Sequence, residues 1–260
     1  MTPPTTTLAI ANQKGGVAKT TTVASVGAAL GEMGHSVLLV DLDPQACLTF
    51  SLGVDPEDLE LSIHHVLTKG LHPSEVILET DDGVDLLPAT IELARAEADL
   101  LTRTGREHVI RGALDDLAAK GVHYDWIMLD CPPSLGVLTV AALTAADGVL
   151  VPLQCETLSH RGVGQLLDTV HDVRRFTNKG LQVWGVLPTL YDGRTNHSRT
   201  VLETISETYE LDVIEPPIPK TIKFAEAPAA GRSILSTSRS SKGAKAYREV
   251  AENLVARGAR

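Results

Sequence analysis

The stretch "LAIANQKGGVAKTTT", residues 8–22, decides the fold. An apolar run leads into a loop of lysines and glycines. The loop opens a helix, "KTTTVASVGAALGEMG", in which Val23, Val26, Leu30 and Met33 recur at helical spacing. Strand, loop and helix are the setting that a phosphate-binding loop needs, because backbone N–H groups and the helix N-terminus then face the anion. In the pattern G-x-x-x-x-G-K-[ST] the lysine charge reaches the terminal phosphates and the hydroxyl binds Mg2+; here these are Lys19 and Thr20. The stretch also breaks the pattern. Gln13 and Ala18 stand at its glycine positions, and Lys14 and the pair Gly15-Gly16 are additional. Taken alone, it could still be a strand-to-helix turn with surface lysines.

Working outward, two more stretches have the same logic. "VLLVDLDPQ" ends an apolar run on Asp41 and Asp43, and "WIMLDCPPS" ends another on Asp130. Ligands in open α/β sheets bind at the carboxyl ends of strands. Three carboxylates at such ends, beside a lysine-glycine loop, are placed for Mg2+ and an attacking water. A single one would more often be a turn or helix-cap aspartate. Together with the loop they read as a nucleotide site.

Strand candidates are 7–12, 36–41, 84–89, 126–130, 148–153, 182–189 and 212–218; helical patterns cover 19–33, 59–68, 91–102, 107–120, 137–146, 159–175, 197–209 and 243–257. The strand runs are mostly uninterrupted rather than alternating, as strands buried on both faces should be. The expected fold is a single α/β domain over residues 7–260: a mostly parallel, twisted sheet of about seven to eight strands with helices on both faces. Residues 1–6 read as a disordered lead-in.

Composition narrows the function. The chain has 260 residues, 43% hydrophobic and 22% charged, which is ordinary globular usage. Aromatic residues make up only 3%, which argues against base stacking. The 3 cysteines are far apart and fit a reducing compartment, and the 9 histidines show no metal-ligand spacing. No basic leader or apolar run of membrane-spanning length is present. The net charge of −10 is uneven: residues 220–260 carry +6, which leaves −16 on the rest. A local basic surface on an acidic body follows.

At this point the residues carry a resemblance. "KGGVAKTT" (14–21), with "VLLVDLDPQ", "LDCPPSLG", "VPLQCE", "LYDGRT" and "AEAP" in order, resembles the ParA/Soj family of partition ATPases with the deviant Walker A box, in the wider group that holds MinD. The match runs over roughly residues 7–255. It implies a cytoplasmic, nucleoid-associated ATPase that takes ATP/ADP and Mg2+, forms a homodimer with ATP and binds double-stranded DNA without sequence preference. It also implies a ParB-like activator and no membrane. By the same resemblance, Lys14 crosses the dimer interface to the partner's ATP, as an arginine finger does in trans. Lys14, Gly15, Gly16, Val17, Ala18, Lys19, Thr20 and Thr21 cradle phosphate. Asp43 orients or activates the water, Thr20 binds Mg2+, Asp130 supports it through water and Asp41 stands behind these. Pro219 and Thr221 of "PIPKT" match the adenine-side segment, where the family has asparagine at the position of Thr221.

Other departures are Ala18 for glycine, Cys47 in "DPQACLT" where the family usually shows Gly-Asn, and "ETLSHRGV" for "EYYALEG". If position 18 needs a positive φ, alanine there costs on the order of 1 kcal/mol. For DNA, the resemblance and the basic tail single out Arg194 and Lys223, with Lys220, Arg232, Lys242 and Lys245 in support; each alone could be a solvated surface charge. The last helix carries Tyr247, Val250, Ala251, Leu254 and Val255 on one face, which reads as core packing rather than as a membrane-surface helix. Rival functions are a MinD-like membrane-associated positioning ATPase and an ATP-dependent synthetase on the same scaffold.

Overall fold

The structure, a computed structural model, describes residues 4–156, 159–193 and 196–258. Its strands are β1 (Thr6–Ile10), β2 (Val37–Asp41), β3 (Leu78–Glu79), β4 (Asp85–Leu87), β5 (Trp126–Asp130), β6 (Gly148–Gln154) and β7 (Gln182–Thr189). They form one sheet in the order β3-β4-β2-β5-β1-β6-β7. All neighbours are parallel except β3 and β4. The helices are α1 (Lys19–Glu32), α2 (Cys47–Ser51), α3 (Ile63–Lys69), α4 (Leu93–Leu100), α5 (Val109–Ala119), α6 (Val137–Ala145), α7 (Ser159–Phe176), α8 (Asn196–Tyr209), α9 (Lys223–Glu226), α10 (Ile234–Thr237) and α11 (Lys242–Gly258).

The two-fold periodicity of the strands sorts their apolar residues into two cores. Ala9, Leu38, Ile127, Val149 and Val186 face one side, under α3 to α8. Leu8, Leu39, Met128, Leu150 and Leu187 face the other, under α1, α2, α10 and α11. Every residue of β2 and β5 is therefore buried, which is why these runs read as uninterrupted. The apolar face of α11 lies in the second core, with Tyr247, Val250, Ala251 and Leu254 fully buried, and the Tyr247 hydroxyl hydrogen-bonds Thr22 of α1 at 3.0 Å. The core-packing reading of that helix holds. No described helix is long and apolar enough to cross a membrane.

Three expectations need correction. Residues 212–218 do not form a strand. The segment runs along β7 and makes two isolated bridges, Val186 with Val213 and Tyr191 with Pro219. Pro216, Pro217 and Pro219 remove the N–H donors that a ladder requires. β7 itself bulges here, where Gly185 at φ 133 lets the Asp212 carbonyl approach closer than any Cβ would allow. Second, the first strand begins at Thr6, one residue inside the stretch 1–6 that was set apart from the domain. The Thr6 N–H donates to the Asp125 carbonyl at 2.9 Å, and the Thr5 hydroxyl donates to that of Tyr124 at 2.7 Å. Third, β3, α2, α9 and α10 were not expected; each has five residues or fewer, too short to show a period.

Candidate nucleotide site

Because β1 lies between β5 and β6, the loop that leaves it emerges at the centre of the sheet's carboxyl edge. Asn12 fixes the start of that loop. Its amide donates to the Pro152 carbonyl of β6 at 2.8 Å, and its side-chain oxygen accepts the Lys14 N–H at 2.9 Å. Near the end, the Thr189 hydroxyl of β7 donates to the Val17 carbonyl at 2.9 Å. Between these anchors Gly16 takes φ 72 and Ala18 takes φ 64, ψ 34. Ala18 is the N-cap of α1 and gives no side-chain cap, and the first turn carries no acidic residue. The opening N–H groups of α1 thus point at the loop's hollow.

Position 18 does require the left-handed conformation, so alanine there is strained. Ala18→Gly should raise the melting temperature by about 2–4 °C, the equivalent of roughly 1 kcal/mol in a chain of this size. Calorimetry measures this, and a lowered melting temperature would show that Ala18 is not strained. Ala46, before α2, repeats the feature at φ 52.

Lys19 is almost fully buried, and its ammonium donates to the Lys14 carbonyl at 3.1 Å. Burial lowers its pKa, and the charges of Asp130, Cys131 and Asp43 work against that shift. Asp41 and Asp130 face each other across β2 and β5, both buried. Asp41 is satisfied: Thr49 donates its N–H at 2.9 Å and its hydroxyl at 2.7 Å, and the Asp43 N–H donates at 3.1 Å. Burial still pushes its carboxyl up to about 6. Asp130 is not satisfied, since neither carboxylate oxygen has a hydrogen-bond partner. Its pKa is raised, first by burial and then by Asp41, while the Thr20 hydroxyl and Lys19 pull it down. An orphaned hard-oxygen pair beside a threonine hydroxyl fits Mg2+ held partly through water. Asp43 is half-buried, and its Oδ1 accepts the Gln45 N–H at 3.0 Å.

A cleft of about 490 Å3 collects Gly15, Gly16, Ala18, Lys19, Thr20, Thr21 and Asp43 at one end. Leu190, Ile218, Thr221, Phe224 and Tyr247 line its apolar part. Of the two residues expected on the adenine side, Thr221 lines the cleft, and in place of Pro219 its neighbour Ile218 does. A larger hollow of about 750 Å3 opens at the other edge of the sheet, around Thr6, Asp147 and Gln182. It has no glycine loop and lies at the amino ends of the strands, the wrong edge for this fold class.

Sequence reading missed several contributors. Thr49 joins Asp41 to the Ala89 N–H, which its hydroxyl accepts at 3.0 Å. Glu97 of α4 leans over Gly136, and burial followed by the charge of Asp43 raises its pKa. Glu156, just past β6, pairs with Lys14 at 2.5 Å. None has a local signal, because each acts only through strand order.

Arg194 lies outside the described residues. Lys223 pairs with Glu226 at 2.7 Å, and Arg232 with Asp81 at 2.5 Å. Arg248 and Arg239 share Glu32 at 2.6 and 3.6 Å, and Arg257 pairs with Asp212 at 2.9 Å. No ion pair is recorded for Lys220, Lys242 or Lys245 among the described residues.

Comparison with known proteins agrees with this geometry. Residues 5–183 match the family described as AAA domain. The chain is 41% identical over 252 residues to the sporulation initiation inhibitor protein Soj of Bacillus subtilis, covering 96% of this chain and 98% of Soj. It is 38% identical over 255 residues to the chromosome partitioning protein ParA of Caulobacter vibrioides, covering 98% and 95%. A Mycobacterium smegmatis crystal structure named cobyrinic acid a,c-diamide synthase, with a bound ATP analogue and magnesium, superposes with a TM-score of 0.86 at 56% identity, covering 97% and 95%. A glycine-lysine loop with a second lysine, set in this sheet order and matched over 96–98% of the chain by Soj and ParA, places the chain in the ParA/Soj family of deviant Walker A P-loop ATPases.

Proposed function

We propose that the chain binds ATP or ADP with Mg2+, dimerises around ATP and then holds DNA through its basic surface without reading sequence. Hydrolysis, stimulated by a ParB-like partner, releases the dimer and so moves or positions a chromosome, plasmid or other cargo. The observation that carries this reading is a buried Lys19 within electrostatic reach of a buried Asp130 that has no hydrogen-bond partner, at the mouth of an uncapped helix. That arrangement leaves unmet exactly one kind of demand, for an anion and a hard cation together. The name of the Caulobacter vibrioides relative, a chromosome partitioning protein, supports the cargo part of this reading. Mg2+ would be held by Thr20 and, through water, Asp130, where it neutralises charge on the phosphates. Lys19 and the loop amides bind the terminal phosphates, and Asp43 orients the attacking water.

Fluorescence anisotropy on unrelated duplexes tests the DNA step. Binding should need ATP and fall with salt at a slope of about −0.9 per phosphate contact. The free charges Lys220, Lys242 and Lys245 should matter more than Lys223 or Arg232, which are already paired. Replacing Lys242 and Lys245 by glutamate should weaken binding about tenfold or more, equally on all sequences, with ATP binding intact. Tight binding without ATP, or no effect of the pair, would place the DNA surface elsewhere.

A second reading follows from the name of the Mycobacterium smegmatis relative: an ATP-dependent amidating synthase. Drawing ammonia from glutamine needs an activated thiolate. Burial raises the thiol pKa of Cys131 and pushes Cys155 up to about 11, while burial and three nearby carboxylates raise Cys47. None of the three is activated. ATP turnover stimulated by a carboxylate metabolite, without DNA, is the result that would favour this reading.

A further inference from the structure

The lysine that distinguishes this loop does not point away from its own subunit. The Lys14 ammonium lies 2.5 Å from Glu156 Oε2, with the two side chains 35% and 52% exposed. An exposed pair is often a chance meeting of long side chains, worth little. This one is built. The Lys14 N–H is held by Asn12 Oδ1 and its carbonyl by the Lys19 ammonium. The Asn12 amide is tied in turn to Pro152 of β6, and Glu156 follows that strand two residues after its end. The same bracket that shapes the loop therefore delivers the carboxylate to the ammonium.

We propose that Glu156 is a positioning residue that holds the Lys14 ammonium inside its own subunit and thereby sets the threshold for the ATP-dependent dimer. The proposal rests on the reading above, in which Lys14 serves the site of a second copy. Each dimer must then break two Lys14–Glu156 pairs, one in each subunit. Nucleotide loosens the hold from the other side: once the Lys19 ammonium turns to phosphate, it no longer grips the Lys14 carbonyl. ATP binding and release of Lys14 thus become one event, and a subunit without ATP keeps its lysine at home.

The test compares the parent chain with Glu156→Gln, which keeps shape and removes charge. The first readout needs no dimer. With no nucleotide added, Lys14 should be acylated by an amine-reactive ester about 3–10-fold faster in Glu156→Gln, read by mass spectrometry of the loop peptide. The second readout is sedimentation with ATP and Mg2+. Glu156→Gln should dimerise roughly 3–30-fold more tightly at low salt, since two exposed pairs no longer need breaking. The gap should close near 1 M salt, where charges are screened within about 3 Å. An unchanged acylation rate overturns the proposal, as does faster acylation with equal or weaker dimerisation. If both chains bind ATP and neither dimerises, the role of Lys14 in trans fails, and the acylation ratio still decides whether Glu156 holds the lysine.

Discussion

Asp43→Ala is expected to bind ATP and Mg2+ with near-parental affinity, to accumulate as a dimer and to lose about 10²–10⁴-fold in kcat. The expectation comes from placement. Asp43 is the one carboxylate of the three that reaches the cleft half-exposed, at the end that holds Lys19 and Thr20. Asp41 and Asp130 lie behind it and are buried. Removing Asp43 leaves the loop anchors of Asn12 and Thr189 intact, so binding should survive while the water loses its orienting group. Single-turnover hydrolysis and light scattering with ATP measure the two halves. A chain that binds ATP but stays monomeric, or that hydrolyses at the parental rate, would remove Asp43 from the chemistry. Lys19→Ala provides the contrast, because it should abolish binding itself.

The second large effect lies one layer deeper. Thr49→Val should destabilise the chain by about 3 kcal/mol, lowering its melting temperature by about 6–12 °C. Valine matches threonine in shape, so the loss is electrostatic. The hydroxyl donates to Asp41 and accepts from the Ala89 N–H; valine leaves that N–H buried and unpaired and takes from the buried Asp41 one of its three donors. Thr49→Ser should recover most of the loss, because it restores the hydroxyl. Equal stability of the valine and parent chains in thermal unfolding would show that Asp41 draws no support from the Thr49 hydroxyl.

These two residues also mark what the sequence can and cannot show. Asp43, Lys19 and Thr20 sit within motifs whose spacing follows from one strand, one turn and one helix, and so they could be read directly. The sheet was legible for the same reason: β2 and β5 are buried on both faces, and two-sided burial writes a continuous apolar run. Thr49 could not be read, because its role depends on β2, β4 and the five-residue α2 meeting in space. Glu156 has its role because β6 neighbours β1, a fact of strand order. Residues 212–218 were misread because their apolar content is that of a strand, while their prolines deny the hydrogen bonds. The tail's charge was counted correctly, yet a count does not reveal that Glu32, Asp81 and Asp212, from outside the tail, answer much of it.

The segment over β7 has a consequence for how copies of the chain can meet. A parallel sheet ends in rows of unpaired amides, which can template the addition of foreign strands and seed fibres. Here one margin ends in β3, two residues long and antiparallel, too short to template anything. At the other, residues 212–218 occupy β7: Asp212 accepts the Val186 N–H at 2.8 Å, the Ile214 N–H donates back at 2.8 Å, and the Ile218 N–H reaches Pro188 at 2.7 Å. The prolines that stop this segment from becoming a strand also stop it from offering a fresh edge of its own. Copies of the chain brought close together can therefore meet through faces and loops without zipping into a continuous sheet.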